Sequence, residues 1–273
     1  MPEGEPDHLV VALAGDVMLG RLVNETIQTR GFAHPWGDIL PAIKESEAFL
    51  VNLECAITSH LQHWTNGEEK AFYFRANPAV IRTLQIAGVD FVSLANNHAC
   101  DFEMQGLRET VRVLDRAGIA HAGAGTTLAE AEQPAVLEVA GQRICVLAFA
   151  DYPGAWAAAP TRPGVNYTKI STDPESFGRV QASLTAAREI ADLVIFSIHW
   201  GPNMISRPSA EFQDFRTGGN RRWCRRVLGS QRACRTGNRD KERQTHPSLM
   251  ITPSTNTSAT TYQRSSGCIC GRQ

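Results

Sequence analysis

From residue 9 to residue 199, short apolar runs alternate with segments of helical period. Leu9-Val-Val-Ala-Leu-Ala14, Phe49–Leu53, Phe91–Ala95 and Leu193–Ile198 are nearly continuous apolar stretches of strand length, the pattern of strands covered on both faces. Asn77–Gly88 opens with a capping residue, carries proline at its first helical position and closes on glycine, which predicts a helix. Met104–Gly118 places Leu107, Val111 and Leu114 on one face, and Phe177–Ala191 also reads as a helix. Pro35–Ile43 predicts a further helix, Val17–Thr29 a loop running into a short one, and Leu128–Glu132 a short one. Ala135–Val139 and Arg143–Phe149 flank Gly141 as a hairpin. Phe72–Phe74 resembles a short strand, and Gly123-Ala-Gly125 reads as a turn. Residues 151–168, with Pro153, Pro160 and Pro163, form a loop long enough to suggest function. Strands alternating with helices predict an α/β fold.

The apolar runs share a second feature: each ends in a residue that can bind a metal or move a proton. The first leads into Gly15-Asp16, the second into Glu54, the third into Asn96-Asn97-His98, and the fourth into His199-Trp200-Gly201. In open α/β sheets ligands bind outside the carboxyl ends of the strands, so the four ends read as parts of one site. Local roles compete with this reading. Asp16 after glycine suits a turn, and one of the two asparagines is expected to be a turn residue. Asp101, three residues after His98, either orients that imidazole or caps the following helix. Arg21 either binds an anionic substrate or pairs with a nearby carboxylate. Asn96 is a further candidate for substrate binding. His60 and His63 read as solvated loop residues, and Cys55 and Cys100 as small apolar fillers.

Charge divides the chain. Residues 216–273 hold twelve of the 27 Lys and Arg but only two of the 28 Asp and Glu. They lack helical or strand period and are rich in Ser, Thr and Gly towards the end, a composition that buries too little apolar surface to offset ordering entropy. The expected organisation is a disordered tail over 1–7, a folded domain over 8–215 and a basic, low-structure segment over 216–273. With only Trp223 and Tyr262 as aromatics, that segment does not read as a nucleic-acid module. The seven cysteines include no CxxC pair, which argues against a structural zinc site. No apolar run approaches the ~18 residues of a membrane span. The acidic Met1–His8 is unlike a secretory leader. The expected location is therefore cytoplasmic.

Gly15-Asp-Val-Met-Leu-Gly-Arg21, Asn52-Leu-Glu54, Ala95-Asn-Asn-His98, Gly123-Ala-Gly125 and His199-Trp-Gly201 occur in this order. Together they resemble the CapA-type poly-γ-glutamate capsule biosynthesis proteins, a family similar to calcineurin-like metallophosphatases. The resemblance covers about residues 8–215. It implies a four-layer α/β/β/α sandwich with metal at the strand ends. Asp16, Glu54, Asn97 and His199 would be ligands, Glu54 in the bridging position, and His98 the acid or base. It also implies one or two divalent ions (Mn, Fe or Zn) and an anionic small-molecule or polymer substrate, handled by hydrolysis or transfer. A capsule-related role adds membrane association as a second expected location. Such ligands suit metal chemistry: carboxylate and amide oxygens take hard cations, and imidazole shifts preference towards transition metals.

The chain departs from the family pattern downstream. The superfamily's later Gly-His-x-His motif is not found, and His246, in Gln244-Thr-His-Pro247, is the one histidine after His199. Periodicity, acidity and motif are lost together near residue 216. A reading-frame shift at that point accounts for all three and leaves the sandwich incomplete at its C-terminal side. A non-catalytic pseudoenzyme, or a module that binds an anionic polymer, is the alternative reading.

Overall fold

The apolar runs pair into parallel β-structure because every second side chain finds a different apolar neighbour on each face. The structure, a computed structural model, describes residues 9–65, 70–201 and 209–215, with the backbone of 226–227, 249–253 and 259–262. In chain order the elements begin with β1 (Leu9–Val17), α1 (Arg21–Arg30), α2 (Leu40–Ile43), β2 (Ala48–Leu53), β3 (Ala56–Ile57) and β4 (Arg75–Ala76). Next come α3 (Ile81–Ala87), β5 (Phe91–Ser93), α4 (Glu103–Ala117), β6 (Ala120–Ala122), β7 (Ala124–Gly125) and α5 (Leu128–Glu132). The rest are β8 (Ala135–Val139), β9 (Gln142–Ala150), β10 (Gly164–Val165), α6 (Pro174–Ile190), β11 (Leu193–His199), β12 (Arg226–Val227), β13 (Leu249–Pro253) and β14 (Ala259–Tyr262).

One sheet runs β14-β1-β2-β5-β6 and is parallel throughout. The other runs β12-β13-β11-β9-β8, with β11 parallel to β9 and its other neighbours antiparallel. The two sheets share an apolar cluster: Leu9, Val11, Leu50 and Phe91 from the first meet Ile144, Val146, Leu193 and Ile195 from the second. The alternate residues turn the other way. Phe49, Val51 and Val92 pack with Leu84 of α3 and Leu107 and Leu114 of α4. Cys145, Leu147, Phe149, Val194 and Phe196 pack with Val180 and Leu184 of α6. Each buried leucine or phenylalanine contributes about 1.5–3 kcal/mol. The mixed α/β class expected from the pattern is thus the one observed.

Helix punctuation follows the sequence closely. Asn77 accepts a hydrogen bond from the Ala79 amide at the start of a 3₁₀ turn leading into α3, and Gly88 closes that helix in the left-handed conformation. Gly118 ends α4 in the same way. Asp173 caps α6 by accepting from the Glu175 and Ser176 amides.

Several local expectations are corrected. Gly123-Ala-Gly125, expected as a turn, carries β7, which pairs antiparallel with β10, and the segment after 216, expected to lack strand structure, supplies β12, β13 and β14. The helix predicted over Pro35–Ile43 is broken into a 3₁₀ turn (His34–Ile39) and α2, because Gly37 takes the non-helical φ 55°, ψ −131°. The strand predicted at Phe72–Phe74 forms instead at β4, which pairs in parallel with β3; the Phe74 amide is drawn away to the Asp101 carboxylate. The N-terminal tail and most of the basic segment lie outside the described residues.

Candidate metal centre

Parallel strands bring their carboxyl ends to one edge, and the first carboxylate, Asp16, is aimed there by a bulge. Between β1 and β2 the register runs Leu13↔Leu50 and then Asp16↔Asn52, so β1 spends one more residue than its partner across Ala14-Gly15. A bulge of this kind re-aims the side chain that follows. Asp16 Oδ1 accepts a hydrogen bond from Asn52 Nδ2 at 2.7 Å. Glu54 is the first residue past β2, and its backbone N–H still donates to Val17 O at 3.0 Å. His199 is the last residue of β11 in the other sheet. One ligand atom from each of Asp16, Glu54 and His199 lies within 4.8 Å of the other two.

Glu54 and His199 are buried and Asp16 is half-buried. Two carboxylates converging on an imidazole at a largely buried strand edge form a donor set that fits a divalent cation, since buried charges are held by pairing or by metal coordination. The amide oxygen of Asn97 joins the same cluster, with Oδ1 2.8 Å from His199 Nε2. Because an amide oxygen only accepts, Nε2 carries the proton in this arrangement and Nδ1 is left with its lone pair. Nδ1 lies 3.5 Å from Asn52 Nδ2.

His98 stands beside this cluster. Its Nε2 is 3.8 Å from Glu54 Oε1, and its Nδ1 is 2.5 Å from Asp101 Oδ2. A carboxylate acceptor fixes the proton on Nδ1 and turns Nε2 towards the cluster. The ring of Phe74 stacks on the imidazole at a centroid distance of 4.0 Å. Of the two roles open to Asp101, the structure takes the orienting one: Phe102 occupies the N-cap of α4 and no side chain caps it. Asp101 is fully buried and also accepts from the Phe74 amide at 2.7 Å.

The structure differs from the expectation for Asn96. This residue is fully buried, Nδ2 donates to Asn52 Oδ1 (3.0 Å) and Leu53 O (2.9 Å), and Oδ1 accepts from the His98 amide (2.9 Å). With both amide protons and the oxygen committed inside the fold, Asn96 positions the loop and Asn52 rather than reaching for substrate. Arg21 is exposed at the start of α1, its guanidinium 4.9 Å over the Phe72 ring. His60 lies 3.8 Å from Glu103, and His63 packs on Tyr73. Cys55 and Cys100 are buried thiols. Burial pushes Cys55 up to about 12 and Cys100 higher still, so both remain neutral fillers.

Three residues of the site were not singled out from the sequence. Asn52 lay in plain view within Asn52-Leu-Glu54, and its alignment opposite Asp16 needed the bulge. Lys70 belongs to the polar, aperiodic part of the stretch 58–76, which carries no pattern to place it, and Phe74 reads only as the end of a short strand, with nothing to set it against His98. Lys70 Nζ donates to Asp101 Oδ1 and to Asn97 O.

Over residues 10–217 the chain matches the family described as "Bacterial capsule synthesis protein PGA_cap". It belongs to this family. It is 29% identical over 238 residues to a "Probable polyglutamine synthesis accessory protein" of Mycobacterium tuberculosis H37Rv, covering 73% of this chain and 62% of that protein. It is 26% identical over 207 residues to the "Capsule biosynthesis protein CapA" of Bacillus anthracis, covering 75% and 49%. The "PGA biosynthesis protein CapA" of Bacillus subtilis is 27% identical over 205 residues, covering 74% and 52%. The chain therefore spans between about half and three-fifths of the length of these relatives. The family match takes in all the motifs on which the sequence resemblance rests, from Gly15-Asp16 to His199-Trp-Gly201.

Proposed function

We propose that this chain is a CapA-like protein of poly-γ-glutamate capsule metabolism whose strand-edge site is a metal-dependent hydrolase or transferase centre for an anionic substrate. The convergence of Asp16, Glu54 and His199 from both sheets carries the proposal, and the names of the relatives supply the polymer. Asp16, Glu54, Asn97 and His199 would hold one or two divalent ions. When bound, such an ion acidifies water and stabilises charge on an oxyanion. His98, with its Nδ1 proton held by Asp101, exchanges a proton with the reacting group through Nε2. Arg21, exposed over Phe72, is the proposed contact for substrate carboxylate or phosphate. The family's four-layer α/β/β/α sandwich is proposed as the complete architecture, supported by the apolar clusters on both faces of each sheet.

A second reading has its own support. The family match ends at residue 217, next to the point where acidic residues give way to basic ones. We take residues from about 216 onward to be an out-of-frame segment, which would make this product an incomplete, non-catalytic copy. Translating the underlying DNA in its other two frames tests this directly. A Gly-His-x-His sequence downstream supports the shift, and its absence from both frames contradicts it.

Activity separates the readings. The purified chain, supplied with Mn²⁺ or Zn²⁺, is incubated with poly-γ-glutamate and, separately, with p-nitrophenyl phosphate. Turnover that falls at least 100-fold in His98→Gln supports the catalytic reading. No turnover by folded, metal-loaded protein supports the non-catalytic one, and full turnover by His98→Gln removes His98 from the mechanism.

A further inference from the structure

Among the described residues, Lys70 is the cation drawn into the interior of the His98–Asp101 dyad, and the proposed chemistry does not use it. Its side chain is mostly buried (14% exposed), and Asp101 beside it is fully buried. Lys70 Nζ donates to Asp101 Oδ1 and to the backbone carbonyl of Asn97, and it lies 3.4 Å from His98 Nδ1. The indole of Trp156 covers the ammonium at 4.7 Å from the ring centroid, with Tyr73 at 6.0 Å. One ammonium thus joins three loops: its own, the Asn96–Asp101 turn and the loop after β9.

The donors reaching Asp101 divide between its two oxygens. Oδ2 takes the His98 Nδ1 proton and the Phe74 amide, while Oδ1 takes Lys70. A fully buried carboxylate with one oxygen unsatisfied would rotate, or take up a proton and become a donor. Either change would free His98 Nδ1 from its fixed acceptor and let the proton move to Nε2. Lys70 points inward to these acceptors, so the geometry does not make it a substrate-binding cation.

We propose that Lys70 is a positioning residue: by holding Asp101 Oδ1 and the Asn97 carbonyl together it fixes His98 as the Nδ1–H tautomer, with Nε2 presented to the strand-edge cluster. The role serves the proton transfer assigned to His98 and so rests on the functional reading above. Its test does not require turnover.

The test is the tautomer of His98 in the full chain, read by long-range ¹H–¹⁵N correlation of ¹⁵N-histidine protein. The signal is assigned by its loss in His98→Gln. The wild type is expected to show Nδ1–H alone. Lys70→Met and Lys70→Gln are expected to show both tautomers, and Lys70→Arg, which keeps the charge and the donors, to return the signal towards Nδ1–H. Where turnover is measurable, Lys70→Met should lower kcat at least tenfold with KM within twofold. Lys70→Met removes one partner of a buried ion pair and risks unfolding; Lys70→Gln keeps an amide donor and carries the comparison in that case. A folded Lys70→Met or Lys70→Gln protein that retains Nδ1–H alone, or a wild type that shows Nε2–H, overturns the proposal. A tautomer shift in a chain with no turnover leaves the positioning role standing and removes the hydrolase reading instead.

Discussion

Asp16 is placed by two effects that no single residue reveals: a bulge that turns it and an amide that holds it. Asn52 Nδ2 bonds Asp16 Oδ1, while Asn52 Oδ1 accepts from Asn96. A relay of two buried amides therefore sets the direction of the first carboxylate. Outer partners of this type typically change metal affinity 10–100-fold. Asn52→Leu should weaken Mn²⁺ binding by that factor in calorimetric titration of folded protein, and because it leaves a buried Asn96 amide proton unpaired it should also cost about 1–3 kcal/mol in unfolding; unchanged affinity would show that Asp16 needs no such support. The residues of the candidate centre stand out at this scale because each follows an apolar run. Asn52 belonged to a recognised motif but gained its role from a register shift. Lys70 was illegible because its loop has no period, and its partners lie 27 and 31 residues away.

The elements that carry these residues depend on close approaches between neighbours. Gly123 follows β6 with φ +90°, and a Cβ there would stand 2.5 Å from Ala95 Cβ and 2.8 Å from Ala148 Cβ. Gly123→Ala combines strain at a left-handed residue with overpacking between the two sheets. It should cost at least about 2 kcal/mol in urea unfolding, and because Ala95 precedes Asn96-Asn97-His98 it should also disturb the site. A loss below about 0.5 kcal/mol would contradict this packing.

A second link ties the loop after β3 to α4. Glu109 accepts from Thr58 Oγ1 at 2.5 Å and from the amide and hydroxyl of Ser59 at 3.1 and 2.9 Å. Burial raises its carboxyl, but these hydrogen bonds outweigh it and leave Glu109 below its ordinary 4.5. A carboxylate lowered on folding adds stability above its unfolded pKa and loses it as pH falls through the folded one. The advantage of wild type over Glu109→Gln in thermal melts should therefore be full near pH 6 and shrink steadily below about pH 4.5. A difference that stays constant down to pH 3 would contradict the assignment. Helix ends were legible at Asn77, Gly88 and Gly118 because these are local signals, whereas α6 begins at Pro174 behind the Asp173 cap, three residues before the expected Phe177. The break at Gly37 was not legible, since a lone glycine near a helix start is compatible with either outcome.

For the whole molecule, the alternation of strand and helix foretold an α/β fold because the strands are apolar on both faces and the helices on one. What the pattern left out was which sheet each strand joins. β1, β2 and β5 share one sheet while β9 and β11 share another, so His199 reaches the Asp16–Glu54 pair across the interface between sheets. That these ends meet is expected from the strand-end pattern; that they meet across two sheets depends on long-range packing and becomes visible only in the folded chain. Whether it forms a metal centre is decided by elemental analysis of the purified chain after equilibration with Mn²⁺ and removal of unbound ion, with circular dichroism to establish that each protein is folded. About one ion or more is expected per wild-type chain, and less than a tenth of that in folded Asp16→Ala and His199→Ala. A folded wild type that retains no ion, or variants that retain as much as wild type, would contradict the metal centre.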